Sequence, residues 1–546
     1  MPITEFLERN ARLHPNDVAL VEINPANQPD SALPWHEYQL IQSTSNAPYR
    51  KEMTWREFDV KANRFANLLL TRGIKKGDKV AILMMNCLDW LPIYFGIMKA
   101  GAVAVPMNFR FSADEIAYCA DLADIDVLVF GPEFIDRIHS VLGAMRVKTY
   151  FFVGCEKECP AFADPCLKYL EYCSSIVPAV EFTDEDDGAI YFSSGTTGFP
   201  KAILHRHKAL VFSCQVEQKH HSQTADDVFL CIPPLYHTGA KMHWFGSLLS
   251  GSKAVILRGV SPEWILRTAS DEKATIVWLL VPWAQDILDA IDAGKIDLSS
   301  YRLSQWRLMH IGAQPVPPSL IRRWKAIFPH HEYDTNYGLS ESIGPGAVHL
   351  GVENIHKVGA IGVPGYGWEV KIADEKGAPV ANGEVGELCL KGPGVMKCYY
   401  KNPEATAEVL TDDGWLFTGD MAKVDEEGFI YLVDRKKDVI IVGGENIYPV
   451  QIEDFLRSHE KVSDVGVIGL PDDRLGEITC AVIQLKEGAV CTVDEMHTFC
   501  LTLPRYKRPK TIIFDTVPRN ATGKIQKNAL REKYGVLRIV EEETSK

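Results

Sequence analysis

The alternation of two hydrophobic periodicities between residues 58 and 153 restricts the fold of this chain more than any other feature of its sequence. From Phe58 to Thr71 apolar side chains recur at helical spacing, and Gly73 follows as a stop signal. Further apolar runs follow, a helical one at 91–100 and strand-like ones at 79–85, 102–107, 125–130 and 149–153. Alternating helices and strands predict βαβ units, and hence an α/β protein whose parallel sheets carry helices on both faces.

The pattern changes after about residue 365. Short strand patterns there lie between Gly- and Asp-rich turns, which indicates a β-rich subdomain. A charged break at 434–438 separates it from a C-terminal stretch that is long enough for a small α/β domain. We therefore predict two domains, 1–434 and 435–546. Residues 24–50, rich in turn formers, are predicted to form a surface insertion, with a role in oligomer contact as the alternative.

Composition narrows the function classes. The 546 residues carry a formal charge of −14, which argues against a general binder of nucleic acid or of membrane surfaces. The first ten residues lack a basic segment followed by an apolar core, so no secretory signal is predicted. No apolar run reaches the length of a membrane span. We expect a cytoplasmic protein with reduced cysteines, because the thirteen cysteines are odd in number and scattered.

Two groups of metal-ligating residue types give no metal prediction. The four cysteines between 155 and 173 have spacings that fit no usual zinc pattern. The pairs His220-His221 and His330-His331 have no partners at ligand spacing in the sequence. We therefore interpret both pairs as surface histidines.

The segment Ser193–Lys201 has the composition of a phosphate-binding loop. It follows the apolar run 188–192, which is typical of a buried strand. Small residues let backbone N–H groups approach an anion, hydroxyls add donors, and the lysine adds positive charge. The spacing differs from the common G-x-x-x-x-G-K-[ST] pattern. The residues predicted to bind phosphate are Ser193, Ser194, Gly195, Thr196, Thr197, Gly198 and Lys201.

Six further motifs follow this loop in a characteristic order. They are Pro234-Leu-Tyr-His-Thr238, Asn336-Tyr-Gly-Leu-Ser-Glu341, Gly386-Glu-Leu388, Gly414-Trp-Leu-Phe-Thr-Gly-Asp420, Asp434-Arg-Lys-Lys-Asp438 and Asn520-Ala-Thr-Gly-Lys524. Together the motifs resemble the adenylate-forming superfamily of acyl-CoA synthetases, luciferases and adenylation domains, nearly along the full chain. The resemblance implies a large N-terminal domain of two doubly wound sheets plus the β-rich subdomain, and a small mobile α/β C-terminal domain.

The activity that this resemblance implies is the ATP-dependent conversion of a carboxylic acid, fatty or aromatic, to an acyl-adenylate with release of pyrophosphate. Transfer to CoA then gives acyl-CoA and AMP, and Mg²⁺ assists. Two anions must meet, and two unit charges 4 Å apart repel by about 4 kcal/mol at an effective dielectric constant of about 20. The site therefore has to supply positive charge and oriented donors.

The family's functional residues map onto named positions of this chain. Besides the loop, the implied nucleotide-binding residues are Gly312, Ala313, Gln314, Asn336, Tyr337, Gly338, Ser340, Asp420, Arg435 and Lys524. Tyr337 is expected to stack on adenine, Asp420 to accept both ribose hydroxyls, and Glu341 to hold Mg²⁺. The family usually has Thr where this chain has Ser340. The residues assigned to catalysis are Lys524, His237 and Ser340, with Lys524 expected to bridge the attacking carboxylate and the α-phosphate.

The resemblance also implies a second conformation for thioester formation. Lys524 occupies one approach to the acyl carbonyl, so it has to move before a thiol can attack. The family places a hinge near 435–438, which assigns Lys437 to this change. Gly443 and Gly444 are expected to help shape a tunnel for the pantetheine of CoA.

The acyl pocket is expected to be apolar and aromatic. The residues assigned to it are His237, Lys241, Met242, Trp278 and Leu339. Lys241 departs from the family pattern, because long-chain relatives often have an aromatic residue there. A lysine in an apolar pocket is costly unless paired. It either meets a second carboxylate of the substrate or, as we favour, packs its stem and extends its head to water.

Three other functions are compatible with parts of this pattern. An acyl-AMP ligase or adenylation enzyme would deliver the acyl group to a carrier protein, but no carrier domain follows Lys524 in this sequence. A non-catalytic nucleotide-binding protein would not need the complete set of motif residues. A luciferase-like oxygenase would share the motifs. The partners we expect are small molecules, namely the acid, ATP and CoA, and the oligomeric state stays open, with a homodimer as one alternative.

Overall fold

The computed structural model describes residues 1–28, 47–193, 200–312, 316–349, 351–442, 445–472, 474–519 and 525–535. The chain divides into two compact units. The first consists of Met1–Val370 and Leu390–Leu416, and the second of Lys371–Cys389 and Phe417–Lys546. The second unit thus includes part of the predicted β-rich subdomain, whereas the sequence motifs place the domain boundary at 434–438. That boundary stays a prediction.

Helices and strands alternate through most of the described chain. The helices are α1 (Thr4–Leu13), α2 (Trp55–Thr71), α3 (Trp90–Lys99), α4 (Ala113–Leu122), α5 (Ile135–Val141), α6 (Cys166–Tyr172), α7 (His207–His220), α8 (Thr238–Ser250), α9 (Pro262–Asp271), α10 (Val281–Asp292), α11 (Pro318–Ile327), α12 (Pro403–Val409), α13 (Pro449–Arg457), α14 (Val493–Phe499) and α15 (Lys527–Tyr534).

The strands begin near the N-terminus and continue into the C-terminal part. They are β1 (Val18–Ile23), β2 (Arg50–Thr54), β3 (Lys79–Leu83), β4 (Val103–Pro106), β5 (Ile125–Phe130), β6 (Thr149–Phe152), β7 (Asp164–Pro165), β8 (Asp187–Ser193), β9 (Lys201–Arg206), β10 (Val228–Cys231), β11 (Lys253–Leu257), β12 (Ile276–Leu280), β13 (Leu308–Gly312), β14 (Glu332–Tyr337), β15 (Ala347–His349), β16 (Val363–Pro364), β17 (Glu369–Ala373), β18 (Gly386–Lys391), β19 (Cys398–Tyr399), β20 (Leu416–Val424), β21 (Ile430–Arg435), β22 (Ile440–Val442), β23 (Glu445–Ile447), β24 (Val462–Asp472), β25 (Gly476–Leu485) and β26 (Thr511–Phe514).

Two large sheets build the first unit. One has the strand order β16-β15-β14-β13-β12-β10-β11-β1-β2, and its strands from β14 to β1 are parallel. The other has the order β19-β9-β8-β4-β3-β5-β6-β7, and its strands from β8 to β7 are parallel. Parallel neighbours need crossover connections, which the intervening helices supply. The predicted α/β class with two large sheets is confirmed.

The helix α2 shows how local sequence and core packing cooperate. Thr54 and Glu57 form a capping box, in which each side chain accepts a hydrogen bond from the other residue's backbone N–H. Its buried face includes Phe58, whose ring lies 5.7 Å from that of Phe95 on α3. Phe95 in turn lies 5.7 Å from Trp244 on α8. This aromatic core fixes α8, the helix whose N-terminal residues are expected to face the acyl group.

The second unit contains two smaller sheets. One has the order β17-β18-β20-β21, and the other has the order β23-β22-β25-β24 with β26 beside β25. The short strand patterns predicted after about residue 365 correspond to strands such as β17, β18 and β21. The cysteines, all within the described ranges, are free thiols. Among the described residues, no helix combines the length and apolarity that crossing a bilayer requires.

Candidate active site

The structure places the two ends of the predicted phosphate loop side by side. Ser193 ends β8, Lys201 begins β9, and the two residues are partners in antiparallel register. Ser194, Gly195, Thr196, Thr197 and Gly198 lie outside the described residues. Lys201 Nζ lies 4.6 Å from the centre of the Tyr399 ring, a distance typical of a cation–π contact.

Tyr399 connects this lysine to Glu341. Its hydroxyl donates a hydrogen bond to Glu341 Oε1 at 2.9 Å. Burial and the nearby carboxylate raise the pKa of Tyr399, so the phenol keeps its proton and acts as the donor. The backbone of Glu341 is held as well, because its carbonyl accepts from the N–H of Met396 at 2.7 Å. Our motifs did not include Tyr399, which reaches this position because β19 pairs with β9.

The motif that follows β14 forms a tight turn. Tyr337 is buried at the end of the strand. A side chain at Gly338 would place its Cβ 2.7 Å from the carbonyl oxygen of Gly344, so only glycine fits there. Ser342 Oγ accepts from the N–H of Leu339 at 3.0 Å. This turn therefore fixes the backbone conformation at Ser340 and Glu341.

Two residues from other elements hold Ser340. His205 on β9 contacts the Ser340 carbonyl through Nε2 at 2.8 Å. Burial lowers the pKa of His205 to about 4, so the neutral ring donates its Nε2 proton to that carbonyl. Thr238 Oγ1, at the start of α8, lies 3.4 Å from Ser340 Oγ. The nucleotide motif and the N-terminal end of α8 are thus adjacent in the first unit.

His237, which the sequence assigns to the acyl pocket, caps α8. Its Nδ1 accepts a hydrogen bond from the N–H of Gly239 at 3.1 Å. A Cβ at Gly239 would lie 2.9 Å from the Trp278 ring, so glycine allows helix and indole to meet. Asn86 fixes the preceding turn, because it donates to the Pro233 carbonyl and accepts from the N–H of Leu235. Asn86 is a supporting residue that the motifs do not mark.

Trp278 lies close to Gly312, one of the residues assigned to nucleotide binding, within the first unit. A Cβ at Gly312 would lie 3.8 Å from His310 Nε2 and 3.9 Å from Trp278 Nε1. Both nitrogens are buried without a hydrogen-bond partner among the described residues. Met242 is buried and Leu339 is half-buried. Ala313 and Gln314 lie outside the described residues, and Asn336 on β14 is half-buried.

The structure contradicts the expectation that we favoured for Lys241. Its side chain is fully buried, so the prediction that its head reaches water is wrong. Nζ donates to the carbonyl of Leu235 at 2.7 Å and to that of Tyr236 at 3.2 Å. Three aromatic rings surround it at 4.4 to 5.6 Å, those of Trp90, Tyr94 and Tyr191. Burial lowers the pKa of Lys241, and the carbonyl oxygens and ring faces are the partners of its amine inside the protein.

The histidine pairs also require a correction. His220, His221 and His331 are buried, whereas only His330 of the two pairs is exposed. His220 and His221 lie against His310 and Asp334 from distant parts of the chain, and burial lowers the pKa of His310 to about 4. These partners are more than eighty residues away in sequence, so local spacing could not reveal them.

The second unit holds the predicted ribose-binding pair. Asp420 on β20 is buried and is the register partner of Arg435 on β21, whose Nε lies 3.5 Å from its carboxylate. Glu387 supports this pair, since its carboxylate accepts from the N–H of Gly419 at 3.0 Å and from Lys436 Nζ at 2.8 Å. The Gly386-Glu-Leu388 motif thus has a structural role beside Asp420.

The predicted hinge is a short 3₁₀ turn, Lys436–Asp438. Asp438 accepts a hydrogen bond from Arg531 at 2.8 Å. Burial lowers the pKa of Lys437. Gly443, Gly444 and Lys524 lie outside the described residues. The flanks of the Lys524 motif, Arg519 and Ile525, pair in an antiparallel bridge.

Known protein families and relatives match this chain over most of its length. A model of the AMP-binding enzyme family matches residues 7–400, and a model of the AMP-binding enzyme C-terminal domain matches residues 451–524. Long-chain-fatty-acid–CoA ligase FadD13 of Mycobacterium tuberculosis is 32% identical over 487 residues, which are 88% of this chain and 93% of that protein. Feruloyl-CoA synthase of an Amycolatopsis species is 33% identical over 487 residues, 88% of this chain and 94% of that protein.

Solved structures give the same result. The crystal structure of ATP-bound MatB from Rhodopseudomonas palustris superposes with a TM-score of 0.83 at 25% identity, covering 98% of this chain and 99% of that chain. The family model alone spans most of the sequence, and both domain models occur in the order that the motifs predict. This chain therefore belongs to the AMP-binding enzyme family, the adenylate-forming enzymes.

Proposed function

We propose that this protein joins a carboxylic acid to CoA at the expense of ATP, through an acyl-adenylate. The carboxylate oxygen forms a bond to the α-phosphorus while the bond to pyrophosphate breaks. The CoA thiolate then attacks the acyl carbonyl and AMP leaves. The observation that carries the proposal is the contact of Lys201, Tyr399 and Glu341 in one site next to Ser340, together with curated relatives named as CoA ligases.

Residues whose chemistry suits parts of ATP occur in the first unit and in the second. In the first unit, Lys201 supplies positive charge for the terminal phosphates and Ser340 a hydroxyl for the α-phosphate. In the second unit, the paired Asp420 and Arg435 suit the ribose hydroxyls, since a carboxylate accepts from two neighbouring O–H groups. Pyrophosphate release needs no covalent intermediate with the protein, so positioning and charge carry the catalysis.

Glu341 fits the requirements of a Mg²⁺ ligand. Its carboxylate is a hard oxygen donor, and Tyr399 orients it through Oε1. Mg²⁺ would neutralise phosphate charge when bound there. Tyr399 supports this metal ligand, because its hydrogen bond holds the Glu341 carboxylate in one orientation.

The acid is proposed to be fatty or aromatic. His237 and Trp278 lie against Gly239, and Met242 is a buried apolar residue of the same helix, α8. This apolar and aromatic environment supports the proposal. Lys241 lies in its cage of carbonyls and rings and is engaged there. A second carboxylate on the substrate is therefore not the partner that this lysine needs.

Lys241→Met is accordingly expected to leave the ratio of dicarboxylic to monocarboxylic acid activity unchanged. It should lower the free energy of unfolding instead, on the order of 1–3 kcal/mol, because the hydrogen bonds to Leu235 and Tyr236 are lost. Pyrophosphate release across both acid classes and a thermal melt measure the two effects. Lys295→Met, at an exposed position, serves as the control. A selective loss of diacids with unchanged stability would contradict this assignment.

Lys437→Pro is expected to spare pyrophosphate release and to slow acyl transfer to CoA. Proline fixes its own φ and restricts the residue before it, so the turn Lys436–Asp438 loses freedom that a hinge requires. Separate assays of adenylate formation and of thioester formation from preformed acyl-adenylate check this. Lys437→Ala, which keeps backbone freedom, should leave both steps close to wild type. Equal loss of both steps in the proline variant would argue against a hinge here.

The experiment that tests the function is acid-dependent pyrophosphate release across a library of carboxylic acids, with and without CoA. We expect release with fatty or aryl acids and acyl-CoA only when CoA is present. Acyl transfer to a phosphopantetheinylated carrier protein in preference to CoA would favour the alternative of an acyl-AMP ligase. Gel filtration with light scattering measures the oligomeric state, for which a homodimer is one alternative, and cell fractionation tests the proposed cytoplasmic location.

A further inference from the structure

The first unit contains a group of buried ionisable side chains that the proposed reaction does not use. We call it the histidine cluster, and its members are Glu217, His220, His221, His243, His310 and Asp334. Their side chains are at most 2% exposed. They come from α7 and its C-terminal end, from α8, and from the neighbouring strands β13 and β14. Residues with this chemistry are rarely buried together without a partner that balances their charge.

Three imidazoles of the cluster converge. One ring nitrogen each of His221, His243 and His310 lies within 4.8 Å of the others. The rings of His243 and His310 are 4.2 Å apart between centroids. His221 Nε2 lies 3.4 Å from His310 Nδ1. Small rotations of the rings would bring the three nitrogens to the separation that a single ion requires.

A carboxylate contacts each of these imidazoles. Glu217 Oε1 contacts His243 Nδ1, and lies 3.1 Å from His221 Nδ1. Asp334 Oδ1 contacts His310 Nδ1, and Asp334 Oδ2 lies 3.1 Å from His221 Nε2. For His243 and His310 the carboxylate contacts Nδ1 and leaves Nε2 to a metal, the arrangement common in metal-binding histidines. His221, in contrast, has a carboxylate at each ring nitrogen, one of which a metal would have to displace.

The charge of the cluster is not balanced by lysine or arginine. Within the described part of the chain, the ion-pair partners of Glu217 and Asp334 are imidazoles. The nearby Arg307 pairs with Asp227 and donates to the backbone carbonyl of His221. Several polar atoms lack hydrogen bonds among the described residues, among them Glu217 Oε2 and His310 Nε2. The buried carboxyl groups of Glu217 and Asp334 lie where they can offset the charge of one divalent cation.

We propose that the histidine cluster binds one divalent transition metal ion of the zinc class, with His221, His243 and His310 as ligands. Imidazole nitrogens suit Zn²⁺, and three histidines are a known ligand set for it. Glu217 and Asp334 orient the rings and balance the charge. The ion would tie α7 and α8 to β13 and β14. This site is separate from the proposed Mg²⁺ position at Glu341, and it does not depend on the proposed reaction.

Cobalt binding to the full-length protein tests the proposal. The protein is dialysed against a chelator and titrated with Co²⁺, whose d–d absorption reports imidazole ligands. We expect a saturable band at one ion per chain, loss of the band when Zn²⁺ competes, and a higher melting temperature with Zn²⁺ than with chelator. Absence of a saturable band, or a melting temperature that neither Zn²⁺ nor chelator changes, overturns the proposal and leaves a proton-linked network as the explanation.

Variants locate the ion. His243→Ala and His310→Ala should lose the band, and Glu217→Gln should weaken Co²⁺ binding by about 10–100-fold, the usual effect of removing a carboxylate behind a ligand histidine. His330→Ala, at an exposed position, is the matched control and should bind as wild type. A band that persists in His243→Ala overturns the proposal. If the alanine variants fail to fold, X-ray absorption spectroscopy of zinc bound to the wild-type protein decides the question. We expect three imidazole ligands on the zinc ion, and one imidazole ligand or none would contradict the proposal.

Discussion

Replacing Lys524 with alanine is expected to lower acid-dependent pyrophosphate release by roughly 10²–10³-fold, which corresponds to about 3–4 kcal/mol of transition-state stabilisation. In the proposed mechanism, the ammonium group bridges the attacking carboxylate and the α-phosphate. Both are anions, and they repel each other by about 4 kcal/mol at contact distance and an effective dielectric constant of about 20. A single well-placed cation offsets most of that repulsion.

The matched control for this prediction is Lys510→Ala, because Lys510 is an exposed lysine of the same unit. It should leave pyrophosphate release unchanged. Thioester formation from synthetic acyl-adenylate should be much less affected by Lys524→Ala than adenylation, since the like-charged reactants have already been joined. Wild-type pyrophosphate release in Lys524→Ala would remove Lys524 from the mechanism.

The second large effect is expected at Glu341. Glu341→Gln should lower pyrophosphate release roughly 10²-fold, about 3 kcal/mol, because a neutral amide is a weaker ligand for Mg²⁺ and no longer offsets its charge. Raising the Mg²⁺ concentration should recover part of the rate. The measurement is the Mg²⁺ dependence of pyrophosphate release.

A substitution at Tyr399 tests the same metal site and should have a smaller effect. Tyr399→Phe removes the hydrogen bond to Glu341 and should cost roughly 10-fold, about 1.5 kcal/mol. Its neighbour Tyr400 bonds to Asp124 at an exposed site, so Tyr400→Phe should have no effect on the rate. A Mg²⁺ dependence that neither Glu341→Gln nor Tyr399→Phe alters would place the metal elsewhere.

Periodicity was sufficient to predict the large elements. The pattern from Phe58 to Thr71 corresponds to α2, and the run 125–130 corresponds to β5. Both are long or strongly apolar segments in which local preference and core burial agree. The order of strands within each sheet could not be read in the same way, because β1 lies beside β11 and β19 beside β9. Those pairings join residues about two hundred positions apart.

The assignments of site residues stay predictions, and the structure adds their local geometry where a short motif contains it. Ser340 and Glu341 lie on a turn that Gly338 and Ser342 define locally. Their supports, Tyr399 and His205, come from other strands and have no sequence signal. Proximity in the fold alone identifies them.

Buried polar residues were the main source of error. Lys241 looks exposed or substrate-facing in the sequence, yet carbonyls and aromatic rings from α3 and β8 enclose it. His220 and His221 look like surface histidines because their partners, such as Asp334, are distant in sequence. Composition and spacing predict burial from hydrophobicity, and they fail where polar groups from distant parts of the chain contact one another inside the core.

Transfer of a labelled oxygen tests the central claim most directly. A substrate acid carrying ¹⁸O in its carboxylate is incubated with ATP, CoA and the protein, and the products are analysed by mass spectrometry. If the carboxylate attacks the α-phosphorus, one ¹⁸O atom appears in the phosphate of AMP, and the thioester retains the other oxygen. Unlabelled AMP, or label in inorganic phosphate formed together with ADP, would contradict an acyl-adenylate.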